Sequence, residues 1–237
     1  MEWREQVTVV TGGTRGIGWA LAEGLVDRGA AVAICARNAE EVERRAAALR
    51  APGTSVLGAA CDVRDEASVA AFAERVLGDL GTPGILINNA GIGRFAPLAE
   101  MSAELWDEVM ETNLRGMFLV TRAFLPAMLA KGSGEIVNIS SLAGRNGIAN
   151  GAAYSASKHG VIGFSKSLML EVRTRGVRVM TVCPGSVDTP FFDVATPFDP
   201  DRGRILHPED VAKVVLDALE LPDRALVSEL DIRPANP

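Results

Sequence analysis

The chain has 237 residues, of which 48% are hydrophobic, 23% charged and only 5% aromatic, with a net charge of −6. That composition can bury an aliphatic core, and the acidic balance excludes a main surface that grips a nucleic-acid backbone, which needs clustered Lys and Arg. No uninterrupted apolar run reaches the roughly 18 residues of a membrane helix, and the charged opening "MEWREQVTVV" lacks a signal-peptide pattern, so we expect a soluble, cytoplasmic protein with no nucleic-acid or membrane partner.

The first element reads as a strand over 7–11 that runs through a glycine-rich turn into a helix over 16–28, "VTVVTGGTRGIGWALAEGL". Gly12, Gly16 and Gly18 let backbone approach a pyrophosphate, and the helix that follows aims its N-terminal N–H groups at that charge. No Lys-Ser/Thr pair follows the glycines, which disfavours a nucleoside-triphosphate loop.

A second strand at 31–36 ends in "AVAICARN". A fold that binds NAD usually carries Asp or Glu there to bond the ribose 2′-hydroxyl. This chain has Ala36 and Arg37, with Arg15 inside the glycine turn. Two guanidiniums and no carboxylate suit a 2′-phosphate, so NADP(H) is preferred over NAD(H); ordinary surface arginines are the alternative.

Strands at 55–60, 85–88, 135–139, 177–183 and 226–232 alternate with helices at 39–50, 65–80, 102–130, 153–175 and 208–220. Near-continuous apolar strands separated by helices imply a parallel sheet covered on both faces: an α/β, Rossmann-like, doubly wound fold in a single domain. The longest stretch without periodicity, 186–207, is read as a substrate lid. Cys35, Cys61 and Cys183 each sit beside an apolar run and read as buried reduced thiols. His159 and His207 lack partners at metal-ligand spacing, so no metal is expected.

Tyr154 is the single tyrosine of the chain, and Lys158 follows one helical turn later. A phenol titrates near pH 10, and a nearby ammonium favours its ionised form. The small Ser155, Ala156 and Ser157 between them would let a ligand approach. Taken alone, the spacing also fits a structural helix pair.

With these motifs in order, "TGGTRGIG" at 11–18, "NNAG" at 88–91, Asn113 in "ETNLRG", "ISS" at 139–141, "YSASK" at 154–158 and "PGSVDT" at 184–189, the chain resembles the short-chain dehydrogenase/reductase family over nearly its full length. The resemblance implies strand order 3-2-1-4-5-6-7, a homodimer or homotetramer, and a catalytic tetrad of Asn113, Ser141, Tyr154 and Lys158. The family's serine lies thirteen residues before its tyrosine, which selects Ser141 over Ser140. Tyr154 would be the proton donor, Ser141 would hold the substrate oxygen, Lys158 would lower the Tyr154 pKa and bond the nicotinamide ribose, and Asn113 would hold a relay water. Cofactor contacts implied by the resemblance are Gly12, Thr14, Arg15, Gly16, Ile17 and Gly18 in the turn, Arg37, Asp62 and Val63 at the adenosine end, Asn89, Ala90 and Gly91, and Pro184, Gly185, Val187 and Thr189 beside the nicotinamide, with Tyr154 and Lys158.

The substrate pocket is expected between Ile92 to Phe95, Leu142 to Asn146 and the lid, where Phe191, Phe192 and Phe198 concentrate aromatic residues. Arg94 and Arg145 could meet a carboxylate or phosphate of the substrate, or face solvent. The ending "RALVSELDIRPANP" departs from the glycine-rich terminus of many members. The leading expectation is NADP(H)-dependent hydride transfer to or from a small to medium, mainly apolar carbonyl or alcohol. Reduction of 3-oxoacyl thioesters on an acyl-carrier protein and a non-catalytic NADP(H) sensor are the alternatives.

Overall fold

The structure is a computed structural model that describes residues 2–50, 53–193, 200–222 and 224–235. Its centre is a parallel sheet of seven strands: β1 (Val7–Thr11), β2 (Ala31–Ala36), β3 (Val56–Ala60), β4 (Ile85–Asn88), β5 (Gly134–Ile139), β6 (Val177–Pro184) and β7 (Glu229–Ile232). The spatial order is β3-β2-β1-β4-β5-β6-β7. The helices are α1 (Gly16–Asp27), α2 (Ala39–Leu49), α3 (Glu66–Asp79), α4 (Ala103–Met110), α5 (Gly116–Lys131), α6 (Ala152–Val172) and α7 (Pro208–Leu219).

Alternation along each strand builds two cores. Val10, Ile34 and Ile87 point to the face covered by α1, α2 and α7. Val9, Ala33 and Leu86 point to the face covered by α3, α5 and α6, where Phe72 and Phe124 meet edge to face at 6.0 Å. Both faces are therefore dry, which is why the strands read as apolar runs rather than alternating ones. The expected α/β doubly wound architecture and its strand order are observed.

Three local departures from the sequence expectation have physical causes. The helix expected over 102–130 contains a wide π-helical turn at Glu111–Arg115 between α4 and α5. Asn113 sits in it and takes both polar groups of Ile92: Ile92 N–H donates to Asn113 Oδ1 at 2.8 Å, and Asn113 Nδ2 donates to Ile92 O at 2.9 Å. β7 begins at Glu229 rather than 226, because Arg178 takes the carbonyls of Pro222 (3.3 Å) and Ala225 (3.1 Å) and holds the approaching chain off the ladder. The segment 186–207 is pinned at its neck by a parallel bridge between Val187 and Leu206 and carries a short 3-10 turn, Pro190–Asp193. Phe198 lies outside the described residues. All three cysteines are buried free thiols, and the fold brings Cys35 and Cys61 into contact.

Candidate active site

A cleft of about 1480 Å³ runs along the C-terminal edge of the sheet. That exceeds the roughly 300–1,000 Å³ of an ordinary small-molecule pocket. Its walls include Gly12, Thr14, Arg15, Gly16 and Ile17 from the first turn; Arg37, Asp62 and Val63 after β2 and β3; and Asn89, Ala90 and Gly91 after β4. Ser141, Tyr154, Lys158, Pro184, Gly185, Val187 and Thr189 line it further along. Gly18 and Asn113 lie behind this surface.

The turn after β1 has the form of an anion cradle. Gly12 and Gly16 adopt φ of +64° and +55°, which L side chains rarely take. A Cβ on Gly16 would come to 3.0 Å from Thr189 Cγ2, and a Cβ on Gly18 would collide with the Gly12 carbonyl and the Asn89 amide. The absent side chains thus leave room for a ligand at Gly16 and for close helix packing at Gly18. Asn89 braces the turn: its Nδ2 donates to Thr11 O at 3.0 Å and Gly12 O at 3.1 Å. Asn88 is wholly structural, donating to Thr121 Oγ1 (2.9 Å) and Asn138 Oδ1 (2.8 Å) beneath the sheet edge.

At the β2 and β3 end, Arg37 is exposed and lines the cleft with Arg15. Neither has an ion-pair partner among the described residues, although neighbouring Arg44 and Arg45 are both held by Glu41. Asp62 is bound by Arg64, with Nη2 to Oδ2 at 2.6 Å, and this contact lowers the Asp62 pKa. Arg64 also lines the cleft and was not picked out from the sequence; its position two residues beyond Asp62 was the available signal. The set of glycines, two guanidiniums without an ion pair among the described residues and a helix N-terminus fits a dinucleotide with a phosphorylated ribose.

At the other end four polar side chains converge. Ser141 caps a short 3-10 turn and accepts from Ala143 N at 3.1 Å. Ser140 also lines the cleft, but its hydroxyl donates to the Lys158 carbonyl at 2.9 Å, which fixes α6 against the end of β5. The Tyr154 phenol is pushed above its ordinary value by burial, and the facing Ser141 hydroxyl pulls it partly back. Lys158 Nζ donates to Ile139 O at 2.9 Å, and burial lowers its pKa to about 8. The expected lowering of Tyr154 by Lys158 is thus not among the influences on the phenol here; the ammonium is held by the strand end, 5.8 Å from the centre of the tyrosine ring.

Asn113 closes the arrangement from behind. Its Nδ2 also donates to Ser157 Oγ at 3.0 Å, and Ser157 in turn donates to Tyr154 O at 2.7 Å. Ser157 is fully buried, so its small size serves packing against Asn113 and not ligand approach, a correction to the sequence reading.

Above Tyr154 the walls are aromatic. Phe95 and Phe191 stand 5.7 Å and 5.6 Å from its ring and 6.2 Å from each other. Of the two arginines considered for substrate contact, Arg94 lines the cleft but is paired with Glu108 at 3.1 Å. Arg145 is tied to Glu229 and, at 3.2 Å, to Asp231. His159 bonds its own helix at Ser155 O (2.8 Å), and His207 caps α7. Among the described residues there is no cluster of metal-ligating side chains and no helix long and apolar enough to cross a membrane.

The family model described as short chain dehydrogenase matches residues 6–198. A putative ketoacyl reductase of Streptomyces coelicolor is 40% identical over 230 residues, covering 89% of this chain and 88% of that protein. A D-threitol dehydrogenase of Mycolicibacterium smegmatis is 40% identical over 216 residues, covering 87% of this chain and 83% of that protein. Among solved structures, a point variant of the actinorhodin polyketide ketoreductase with NADPH superposes with a TM-score of 0.88 at 36% identity, over 97% of this chain and 96% of that one.

Proposed function

The chain belongs to the short chain dehydrogenase family and is an oxidoreductase; from that premise we propose that it transfers hydride between NADP(H) and a small to medium, mainly apolar carbonyl or alcohol. The observation that carries this reading is the convergence of Ser141, Tyr154 and Lys158 on one cleft whose far end presents Arg15 and Arg37 without acidic partners.

When bound, NADPH supplies the hydride. The protein's own residues handle the charge and the proton. Tyr154, protonated throughout the neutral range because burial raises its pKa, donates its proton to the carbonyl oxygen as negative charge develops there. Ser141 hydrogen-bonds the same oxygen and fixes its position. Lys158, held on the Ile139 carbonyl, is the group whose protonation changes near pH 8. Asn113 orients the Tyr154 and Lys158 helix through Ser157 and sets the Ile92 backbone that begins the substrate wall. Arg15 and Arg37 would hold the 2′-phosphate, and the Gly12–Gly16 turn would hold the pyrophosphate. The segment 186–207 acts as the lid, and the whole chain works as one catalytic domain in a homo-oligomer.

The test is oxidation of NADPH and NADH against a panel of ketones, aldehydes and 3-oxoacyl thioesters. Reduction favouring NADPH is the expected result; a preference for NADH would remove the phosphate role of Arg15 and Arg37. Thioester reduction is the second reading, and it is favoured by the 40% identity to a relative named as a ketoacyl reductase.

A further inference from the structure

We propose that Arg233, from the chain's C-terminal tail, is a substrate-recognition residue that binds an anionic group, a carboxylate or phosphate, on the carbonyl substrate. The inference rests on the reading of the cleft as a carbonyl-reducing site and names a feature of its substrate.

The sequence offers Arg94 and Arg145 as cations for an acidic substrate, but both are neutralised by carboxylates in the fold. Arg233 lines the same cleft, with its side chain 57% exposed. Its ion-pair contact is Asp231 Oδ2 at 3.5 Å, and Arg145 already holds the Oδ1 of that carboxylate at 3.2 Å. The two acidic residues of β7 are thus shared among Arg145, Lys166 and Arg233, which leaves one positive charge in excess. Of the other cations among the described cleft-lining residues, Arg94 and Arg64 are paired with Glu108 and Asp62, Lys158 is held by the Ile139 carbonyl, and Arg15 and Arg37 stand in the first turn and after β2.

Position separates this charge from the cofactor phosphates. Arg37 lies one residue past β2 and Arg233 one residue past β7, with β1, β4, β5 and β6 between them. Five strand spacings put the two arginines about 24 Å apart. Arg233 therefore sits at the opposite end of the cleft from the 2′-phosphate site.

The tail is also held in place. Gly185 N donates to Ile232 O at 2.8 Å, and a Cβ on Gly185 would meet Pro234 Cδ at 3.0 Å. The backbone on both sides of Arg233 is therefore packed against the β6 exit. The cleft lining includes the apolar Leu142, which meets the same Gly185 as Pro234, and Phe95 and Phe191, which stand against the Tyr154 ring. The complementary ligand has an apolar body at Tyr154 and an anion at the far end.

The experiment compares two matched probe pairs at low ionic strength: 4-oxo-4-phenylbutanoate with its methyl amide, and acetoacetyl N-acetylcysteamine with acetoacetyl-coenzyme A. A charge-assisted contact predicts that the anionic member of at least one pair is favoured roughly tenfold in kcat/KM, mainly through KM. The ratio falls towards one in Arg233→Ala and is largely kept in Arg233→Lys. Preference within the first pair identifies a carboxylate substrate, and within the second a phosphate-bearing carrier arm. Ratios near one in the native enzyme, or ratios unchanged in Arg233→Ala, overturn the assignment. Calorimetric binding of 4-phenylbutanoate and its amide to the NADPH-loaded enzyme reads the same ratio without turnover. A chain that reduced none of these carbonyls would lose the catalytic reading, while the binding ratio still decides the role of Arg233.

Discussion

Lys158 Nζ donates a 2.9 Å hydrogen bond to the carbonyl of Ile139, which ties the ammonium of α6 to the last residue of β5. Burial at this junction lowers the lysine pKa to about 8, while burial raises that of Tyr154. The acid therefore stays protonated and the lysine is the group that titrates first. Reductive kcat/KM for the cofactor, which reports the free enzyme, is expected to be level below about pH 7. Above about pH 8 it declines, by up to tenfold per unit. Lys158→Arg should move the decline upward; an unmoved profile would show that another group sets it.

The same burial has a cost in stability. Lys158 titrates near 8 in the folded chain against an ordinary 10.5, so between those values the unfolded chain binds more protons and stability rises with pH. Below that window the buried ammonium costs roughly 3 kcal/mol, at about 1.4 kcal/mol per pH unit. Lys158→Met is expected to raise the Tm of the cofactor-free protein at pH 7 by several degrees and to abolish turnover. A lower Tm would mean that the bond to Ile139 outweighs the charge.

Arg15 and Arg37 line the cleft without acidic partners among the described residues. One charge-assisted contact to a 2′-phosphate is worth about tenfold or more in affinity. Arg37→Ala should lower the ratio of NADPH to NADH kcat/KM by at least about tenfold, and the Arg15→Ala, Arg37→Ala double variant should lower it further. An unchanged ratio assigns both arginines to the general surface.

A Cβ at position 18 has no free volume, because the Gly12 carbonyl and the Asn89 amide already meet there. Gly18→Ala should destabilise the fold by about 1–3 kcal/mol through overpacking, visible in the denaturant midpoint. It should also raise KM for NADPH, since the shifted turn is the proposed cofactor cradle. A variant with native stability would show that α1 can slide away at little cost.

The sheet was legible because its inner strands are buried on both faces and punctuated by glycines or helix caps, as at Asn38 and Asp65. The first turn was legible because its glycines lead straight from a strand into a helix, and the Tyr154 helix was legible only through the set of motifs shared with the family. The π turn at Asn113 was not, since one extra residue in a turn leaves the apolar pattern of α4 and α5 intact. The role of Ser157 was hidden because its partner Asn113 lies 44 residues away. Arg233 was hidden for a related reason: which arginines are already neutralised depends on Glu108, Glu229 and Asp231, whose placement only the tertiary structure reveals.

Tyr154 is the proposed proton donor. NADPH-dependent reduction of a responsive ketone should fall by about 10²–10⁴-fold in Tyr154→Phe, with native circular dichroism and cooperative unfolding retained. Turnover within a few-fold of the native chain in a folded Tyr154→Phe protein would contradict it.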